Sequence, residues 1–342
     1  MDERRSGGYL RTLTMAAKSA KSAHTLAPLK FLGPKDNFLA LPKENSDPRT
    51  ARFVIVPVPY ERTTSYRKGT KNGPEKLIEA SHQLEFYDEE LGAMTAHDNG
   101  IATLAPIVPS AKETAPVYLT RVADTVSRIL DMGKRVITIG GEHTVAYGPV
   151  LAYSKKYPDL SILHIDAHAD LRSSYEGTPW NHACALRRCI ECFPTPPRTA
   201  MLGIRNVDSE EATYLKANRN IKYFHMEEHR QDVMAVLPEL LEHLGDKVYI
   251  TIDLDGLDPA IIPGVGTPQP GGLGWYETLD IIKAVFADKD VVGFDFMELA
   301  PIKGEVVSEF TAAKFLYKLI GYACLADRRR RASSQSAILS GS

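Results

Sequence analysis

Asp166, His168 and Asp170 stand at alternate positions in the string His164-Ile165-Asp166-Ala167-His168-Ala169-Asp170, directly after the apolar pair Ile162-Leu163. Residues two apart in a strand share a face, so these side chains converge if the strand ends there and the chain bends around one point. Converging carboxylates and imidazoles are cation ligands. Similar groups follow other apolar runs: Glu142-His143 after Gly140-Gly141, Asp253 and Asp255 after Val248 to Ile252, and Glu298 after Met297. An aspartate alone at a strand end is more often a helix cap. Six Asp and His residues at matching strand ends form a ligand set: His143, Asp166, His168, Asp170, Asp253 and Asp255.

Charge sharpens that reading. Asp166, Asp170, Asp253 and Asp255, packed together and partly buried, would repel or take up protons unless cations offset them. Two divalent ions about 3.5 to 4 Å apart, with some carboxylates bridging, supply the balance, whereas a single zinc needs fewer ligands. Oxygen-rich ligation without thiolate favours manganese over zinc, and the imidazoles disfavour magnesium, so the expectation is two Mn²⁺ per subunit. Such ions bring the pKa of bound water near neutrality, and the implied chemistry is metal-assisted hydrolysis. His164 shares the face of Asp166 but lies about 6 to 7 Å further back along the strand, which suits a core or supporting histidine.

These groups need a scaffold that gathers strand ends. Short β-branched runs alternate with helical patterns, the mark of right-handed βαβ units and a parallel sheet. Buried strands are expected at 53–58, 136–139, 160–165, 199–204, 248–252 and 291–296. Pro74 suits the first position of a helix, and Leu119, Val122, Val126, Ile129 and Leu130 recur at helical spacing. The fold class is α/β, three-layer α/β/α with a mainly parallel sheet. One catalytic domain is expected over 46–326, after a partly disordered extension over 1–45 and before a basic, Ser-rich disordered tail over 327–342. Residues 1 to about 25 have the Ser, Arg and Lys content of a transit peptide, although Asp2 and Glu3 oppose that reading. Met15 is an alternative start.

The 342 residues carry a net charge of −2, with 44% apolar and 25% charged residues, which gives no field favouring nucleic acid or an anionic membrane. No apolar run approaches the roughly 18 residues of a membrane helix. Cys184, Cys189, Cys192 and Cys324 are too few for a disulfide framework and suit reduced thiols in the cytoplasm. The Cys189–Cys192 pair lacks partners for a zinc site.

The blocks GGEHTV at 140–145, HIDAHADL at 164–171, TIDLDGLDP at 251–259, GTPQPGGL at 266–273 and FMELAP at 296–301 together resemble the ureohydrolases, meaning arginase, agmatinase and relatives. The resemblance covers most of residues 50–325 and implies an arginase-like fold. It implies one metal held by His143, Asp166, Asp170 and Asp253, and a second by Asp166, His168, Asp253 and Asp255. It also gives catalytic duties to Asp170, to His182 in proton transfer, and to Glu298, which would hold a guanidinium beside the metals as paired donors meet a carboxylate. Glu277 is a weaker candidate, already explained as an acid in a first helical turn. The family more often has Asp and Ser where this chain has Glu142 and Thr144.

The loop Leu171 to His182, with its LRxxYEG pattern, looks like bacterial-type agmatinases, as do Pro57-Val58-Pro59-Tyr60, Thr63-Thr64-Ser65-Tyr66 and Glu85-Phe86-Tyr87-Asp88. That likeness implies agmatine as the small-molecule guanidino substrate, with putrescine and urea as products, in a homo-oligomer (trimer or hexamer). Alternatives are arginase, guanidinobutyrase or guanidine hydrolase and, from another class, a catalytically silent binding protein. Related deacetylases carry a His-His pair, which this sequence lacks.

Overall fold

Eight strands, β1 (Phe53–Val58), β2 (Ile101–Thr103), β3 (Arg135–Gly140), β4 (Ser161–Ile165), β5 (Thr199–Leu202), β6 (Ile221–Phe224), β7 (Lys247–Asp253) and β8 (Asp290–Met297), form one sheet in the order β2-β1-β3-β8-β7-β4-β5-β6. Every pairing is parallel. The structure is a computed structural model and describes residues 28–340, with side chains to 333. Readings placed on residues 1–27, including the transit peptide and Met15, lie outside the described residues.

The six expected strands are present; β2 and β6 are additional. Both are edge strands, of three and four residues, and β6 exposes Tyr223 and part of Lys222, so neither carries the long apolar run of a strand buried on both faces. β5 stops at Leu202 because Gly203 turns with a φ of +92°, where a Cβ would stand 2.8 Å from the Asp166 carbonyl oxygen.

Helices α1 (Gly73–Ser81), α2 (Ala115–Asp131), α3 (Tyr147–Lys156), α4 (Ala185–Glu191), α5 (Ser209–Ala217), α6 (Leu237–His243), α7 (Trp275–Asp288) and α8 (Val307–Ser340) flank the sheet. Pro74 is the second residue of α1 rather than the first, still within the turn where a missing N–H costs nothing. The spaced apolar residues Leu119 to Leu130 are the buried stripe of α2, which packs on β1, β3 and α3. On the opposite face α1, α7 and α8 cover Phe53, Ile55, Ile137, Ile139, Phe294 and Phe296, completing three layers.

Two expected boundaries are corrected. The extension is shorter than 1–45: the compact unit begins at Phe31, and Phe38, Leu39 and Leu41 are at most 1% exposed. The basic segment from 327 continues α8 instead of fraying. Asp327 binds it to the sheet by pairing with Arg52, which precedes β1, with Arg135 at 3.3 Å and with Arg330 at 2.7 Å. Among the described residues no helix is long and apolar enough to cross a membrane.

Lys318 of α8 is 4% exposed, and its ammonium donates to Asp88 at 2.8 Å and Glu90 at 3.2 Å. Asp88 is itself buried, so removing the lysine strands a carboxylate. Lys318→Ala is expected to cost about 3–5 kcal/mol. Lys76→Ala, which breaks the exposed pair with Glu79, should cost less than about 1 kcal/mol. Urea midpoints measure both, and equal shifts would contradict the assignment.

Candidate metal centre

β3, β8, β7 and β4 are successive neighbours in the sheet, and parallel pairing brings their C-terminal ends together. Each delivers part of the cluster. Beyond β3, Gly141 passes so close to Tyr60 that a Cβ would lie 2.0 Å from its carbonyl oxygen, and His143 follows in a short turn. β4 leads into Asp166, His168 and Asp170. Asp253 is the last residue of β7, with Asp255 in the next turn, and Glu298 follows β8.

Three carboxylates share one device. Asp166 Oδ1 accepts from the His168 amide at 2.6 Å, Asp253 Oδ1 from the Asp255 amide at 2.8 Å, and Asp255 Oδ1 from the Ala167 amide at 3.0 Å. One oxygen of each is thus fixed by backbone, and the other turns inward. His143 Nδ1 lies 3.0 Å from Asp166 Oδ2, 3.5 Å from Asp170 Oδ2 and 3.2 Å from Asp253 Oδ2. His168 Nδ1 lies 3.1 Å from Asp255 Oδ2 and 3.5 Å from Asp166 Oδ1.

These spacings fit cation ligation. Donors each about 2.1 Å from one ion and at right angles stand about 3 Å apart. Asp166 Oδ2 is buried without a hydrogen-bond partner although two imidazoles flank it; the atoms lie side by side, as ligands of a common ion do. His143, His164 and Asp166 have donors close enough together to hold one ion, with Asp170 and Asp253 flanking His143 Nδ1, and Asp166, His168 and Asp255 have donors close enough to hold another.

Without cations the charges do not balance. Burial drives Asp170 and Asp253 well above the usual carboxylate range, reinforced by Asp166 beside the first and by Asp255 and Asp166 beside the second. Burial opposes the charge of Asp166 too, but His164 and His143 draw it well below its ordinary value. Burial would likewise neutralise His143, yet Asp166 and Asp253 raise it well above normal, and Asp255 and Asp166 push His168 up to about 12 against its own burial. Protons thus carry the positive charge that divalent ions would supply.

Beneath the cluster runs a polar ladder that the sequence reading missed. His164, Thr251 and Asp295 lie in register across β4, β7 and β8, all buried. Thr251 Oγ1 donates to Asp295 Oδ1 at 2.8 Å and stands 3.0 Å from His143 Nε2. Because that hydroxyl proton is committed to Asp295, the threonine oxygen accepts from His143 Nε2–H, so Nδ1 is the nitrogen that would give up its proton and offer a lone pair to a bound ion. Burial raises Asp295 to about 6, a value at which it remains a carboxylate at neutral pH. The available signal was parity: Thr251 lies two residues before Asp253. His164, expected to stand further back as a supporting histidine, has its Nε2 3.2 Å from Asp166 Oδ2 and 3.3 Å from the His168 carbonyl, within reach of an ion that His143 and Asp166 would hold.

A cavity of about 210 Å³ opens over His168, Asp170, Asp253, His182 and Glu298. Glu298 Oε1 accepts from the His143 amide at 2.7 Å, and burial, with the Glu142 carboxylate nearby, pushes its pKa up to about 8. Asp170 and Glu298 adopt φ values of 51° and 65°, backbone strain of the kind found at functional sites. His182 sits 3.4 Å from Thr63 Oγ1 and 3.3 Å from Ser65 Oγ. Thr63 donates to Glu142 Oε1 at 2.6 Å, so the Glu142 departure positions the His182 loop through a threonine that had no evident role. Burial lowers His182 to about 4 rather than leaving it near neutrality. Glu277 is outside the site: its carboxylate accepts from the Gly274 amide at 2.9 Å and caps α7.

Fold and cluster together define the ureohydrolase class of α/β enzymes. The arginase family model matches residues 51–321, and the chain belongs to the arginase family. It is 46% identical over 277 residues to the N(1)-aminopropylagmatine ureohydrolase of Synechocystis sp., covering 80% of this chain and 89% of that one. It is 39% identical over 259 residues to the agmatinase of Bacillus anthracis, covering 74% and 84%. Among solved structures, the agmatine ureohydrolase of Thermoplasma volcanium superposes with a TM-score of 0.73 at 29% identity, covering 87% of this chain and 96% of that one.

Asp253→Ala should purify with less than about a tenth of the metal of the unaltered protein, while His182→Ala, which lies beyond the donor set, keeps it. Elemental analysis after dialysis decides; a metal-replete Asp253→Ala protein would refute the ligand set.

Proposed function

We propose that the protein hydrolyses the guanidino group of an amine-terminated alkylguanidine, agmatine foremost, to urea and the free amine, with two Mn²⁺ held by His143, Asp166, His168, Asp170, Asp253 and Asp255. The observation that carries this is the convergence of the inward carboxylate oxygens and two imidazoles under a cavity walled by Glu298 and His182. Bound divalent ions would lower the pKa of water toward neutrality and so supply the nucleophile.

The chain's own residues do the rest. Glu298 receives guanidinium N–H groups; a cation there reverses the burial that raises its pKa, so binding and ionisation reinforce each other. Its Oε2 faces Gly266, where a Cβ would come within 3.3 Å of that oxygen. His182, neutral and held by Thr63 and Ser65, relays to the departing amine the proton that the attacking water gives up, taking it on one ring nitrogen and releasing it in the same turnover. Asp170 orients opposite His143 at the cavity floor.

The outer wall supports an amine over an α-amino acid. Arg172, the cation best placed to receive a carboxylate, is taken by Asp208 at 3.3 Å and lies over the Tyr175 ring at 4.7 Å. The acids Asp208 and Glu211 stand beside it on the lining. A second reading, N-aminopropylagmatine, is supported by the 46% identity to the Synechocystis enzyme. The four cysteines are free, in accord with a cytoplasmic enzyme. Exposed Val306, Val307 and Phe310 offer an apolar surface for the expected homo-oligomer.

The test is urea release with Mn²⁺ from agmatine, N-aminopropylagmatine, arginine and guanidinobutanoate. One of the two amines should exceed arginine in kcat/KM by at least about 100-fold. Glu298→Gln should lower that value by about 100-fold or more with metal content unchanged. No urea from any substrate would overturn the proposal, and arginine in first place would move it to arginase.

A further inference from the structure

Glu142 is fully buried, and its carboxylate meets four donors. Oε2 accepts from the amides of Arg62 at 2.5 Å and Thr63 at 2.7 Å, and Oε1 from the hydroxyls of Thr63 at 2.6 Å and Thr144 at 2.8 Å. Two donors on each oxygen leave no place for a proton of its own, so the group is an acceptor only. The Thr63 hydroxyl proton is therefore committed to Glu142, and what remains to Thr63 is two lone pairs. One accepts from the His182 amide at 3.0 Å, and the other faces His182 Nδ1 at 3.4 Å. A structural role would be complete with the amide contacts, which already tie the two loops together. It does not explain a hydroxyl, emptied of its proton, set against one particular ring nitrogen.

We propose that Glu142 and Thr63 are positioning residues that fix His182 as its Nδ1–H tautomer, with the lone pair on Nε2 turned to the cavity; this rests on the reading of His182 as the proton relay. The imidazole that takes up a proton is the neutral one, with one N–H and one lone pair, and the neighbour of each nitrogen decides which is which. Nε2 stands 3.3 Å from Ser65 Oγ, which lines the cavity. Ser65 is exposed, so its hydroxyl can donate to Nε2 in the free protein and turn to solvent when substrate enters. In turnover the Nε2 lone pair takes a proton from the attacking water, whose O–H electron pair stays on oxygen. Nε2–H then gives that proton to the amine nitrogen as the C–N bond breaks and its electron pair leaves with the nitrogen. The Nδ1 proton stays on Thr63 throughout, with the Glu142 charge one hydroxyl behind it to favour the transient imidazolium. The same order of carboxylate, threonine and imidazole lies beneath the cluster in Asp295, Thr251 and His143, where it grips Nε2 instead.

Glu142→Gln reverses the tautomer while keeping the shape. The two amides at Oε2 need an acceptor, so the glutamine oxygen takes that place and its NH₂ takes the place of Oε1, against Thr63 Oγ1. Thr63 then accepts from that NH₂ and from the His182 amide, and its own proton turns to Nδ1. The ring N–H moves to Nε2, where the lone pair is needed.

Histidine ¹⁵N NMR of the full chain, loaded with Zn²⁺ in place of paramagnetic Mn²⁺, reads the tautomer directly, since a protonated ring nitrogen and one with a lone pair resonate far apart; the signal lost in His182→Ala assigns the ring. The unaltered protein and Thr63→Ser are expected to show Nδ1–H, and Glu142→Gln to show Nε2–H. In the Mn²⁺ enzyme, on the better of the two amines, Glu142→Gln and Thr63→Val should lower kcat at least about 10-fold with KM changed less than about 3-fold. Thr63→Ser should restore kcat to within about 3-fold. Metal content accompanies each measurement, and if Glu142→Gln loses metal or fails to fold, Thr63→Val and the spectrum of the unaltered protein decide. Nε2–H in the unaltered protein, Nδ1–H kept in a metal-replete Glu142→Gln protein, or an undiminished kcat in Thr63→Val would overturn the proposal. Absence of urea from every substrate, with the expected spectra, would overturn the proposed function and leave the tautomer standing.

Discussion

Like charge packed under low dielectric is the constraint on which this structure turns. Asp166, Asp170, Asp253 and Asp255 are each at most 5% exposed and in mutual reach. Such a cluster cannot be held by its own side chains, which repel. Backbone holds it instead: the amides of His168, Asp255 and Ala167 each grip one carboxylate oxygen. For those amides to arrive, neighbouring chain segments must approach closely, and Gly256 permits it, since a Cβ there would lie 2.9 Å from the Asp166 nitrogen. Arg205 stitches the same loops by donating to the carbonyls of Asp255 at 2.6 Å and Gln269 at 2.7 Å.

The ladder below carries a second cost. Asp295 is fully buried, and a buried carboxylate is expensive unless its hydrogen bonds are made. Tyr249, Thr251 and the Ile252 amide make them, at 2.9, 2.8 and 3.3 Å. An apolar residue would serve the core as well or better, so the value of Asp295 lies in what it imposes on His143: one tautomer and one ring orientation. The paired faces of the sheet divide this labour. One face of β7 and β8 packs Ile250, Ile252, Phe294 and Phe296 against helices, while the other carries Tyr249, Thr251, Asp253 and Asp295.

Most of this was legible where a residue's type is tied to its position by chemistry. The six cluster residues could be named from strand ends because charge repulsion forbids such an arrangement without purpose. The central strands could be named because burial on both faces leaves a continuous apolar run. β2 and β6 escaped because an edge strand needs little apolar sequence. Asp295 escaped because an acid inside a strand reads as an interruption until Thr251 and His143 are seen around it. Thr63 escaped for a different reason: its partners Glu142 and His182 are 79 and 119 residues away, and a hydroxyl has no distinctive spacing. The basic tail was misread because its arginines look solvated until Asp327, inside the same helix, is seen to face the starts of β1 and β3.

The strand order has a consequence for assembly. β3 and β4 follow one another in the chain, yet β8 and β7 lie between them in the sheet. His143 and Asp166 therefore cannot reach their final separation until segments more than 80 residues further along the chain have been made and inserted. Contacts this distant in sequence form late and at high entropic cost. A chain that stops before β7 and β8 holds loose ligands but no cluster, which makes the capacity for chemistry a property of the finished sheet rather than of any segment of it.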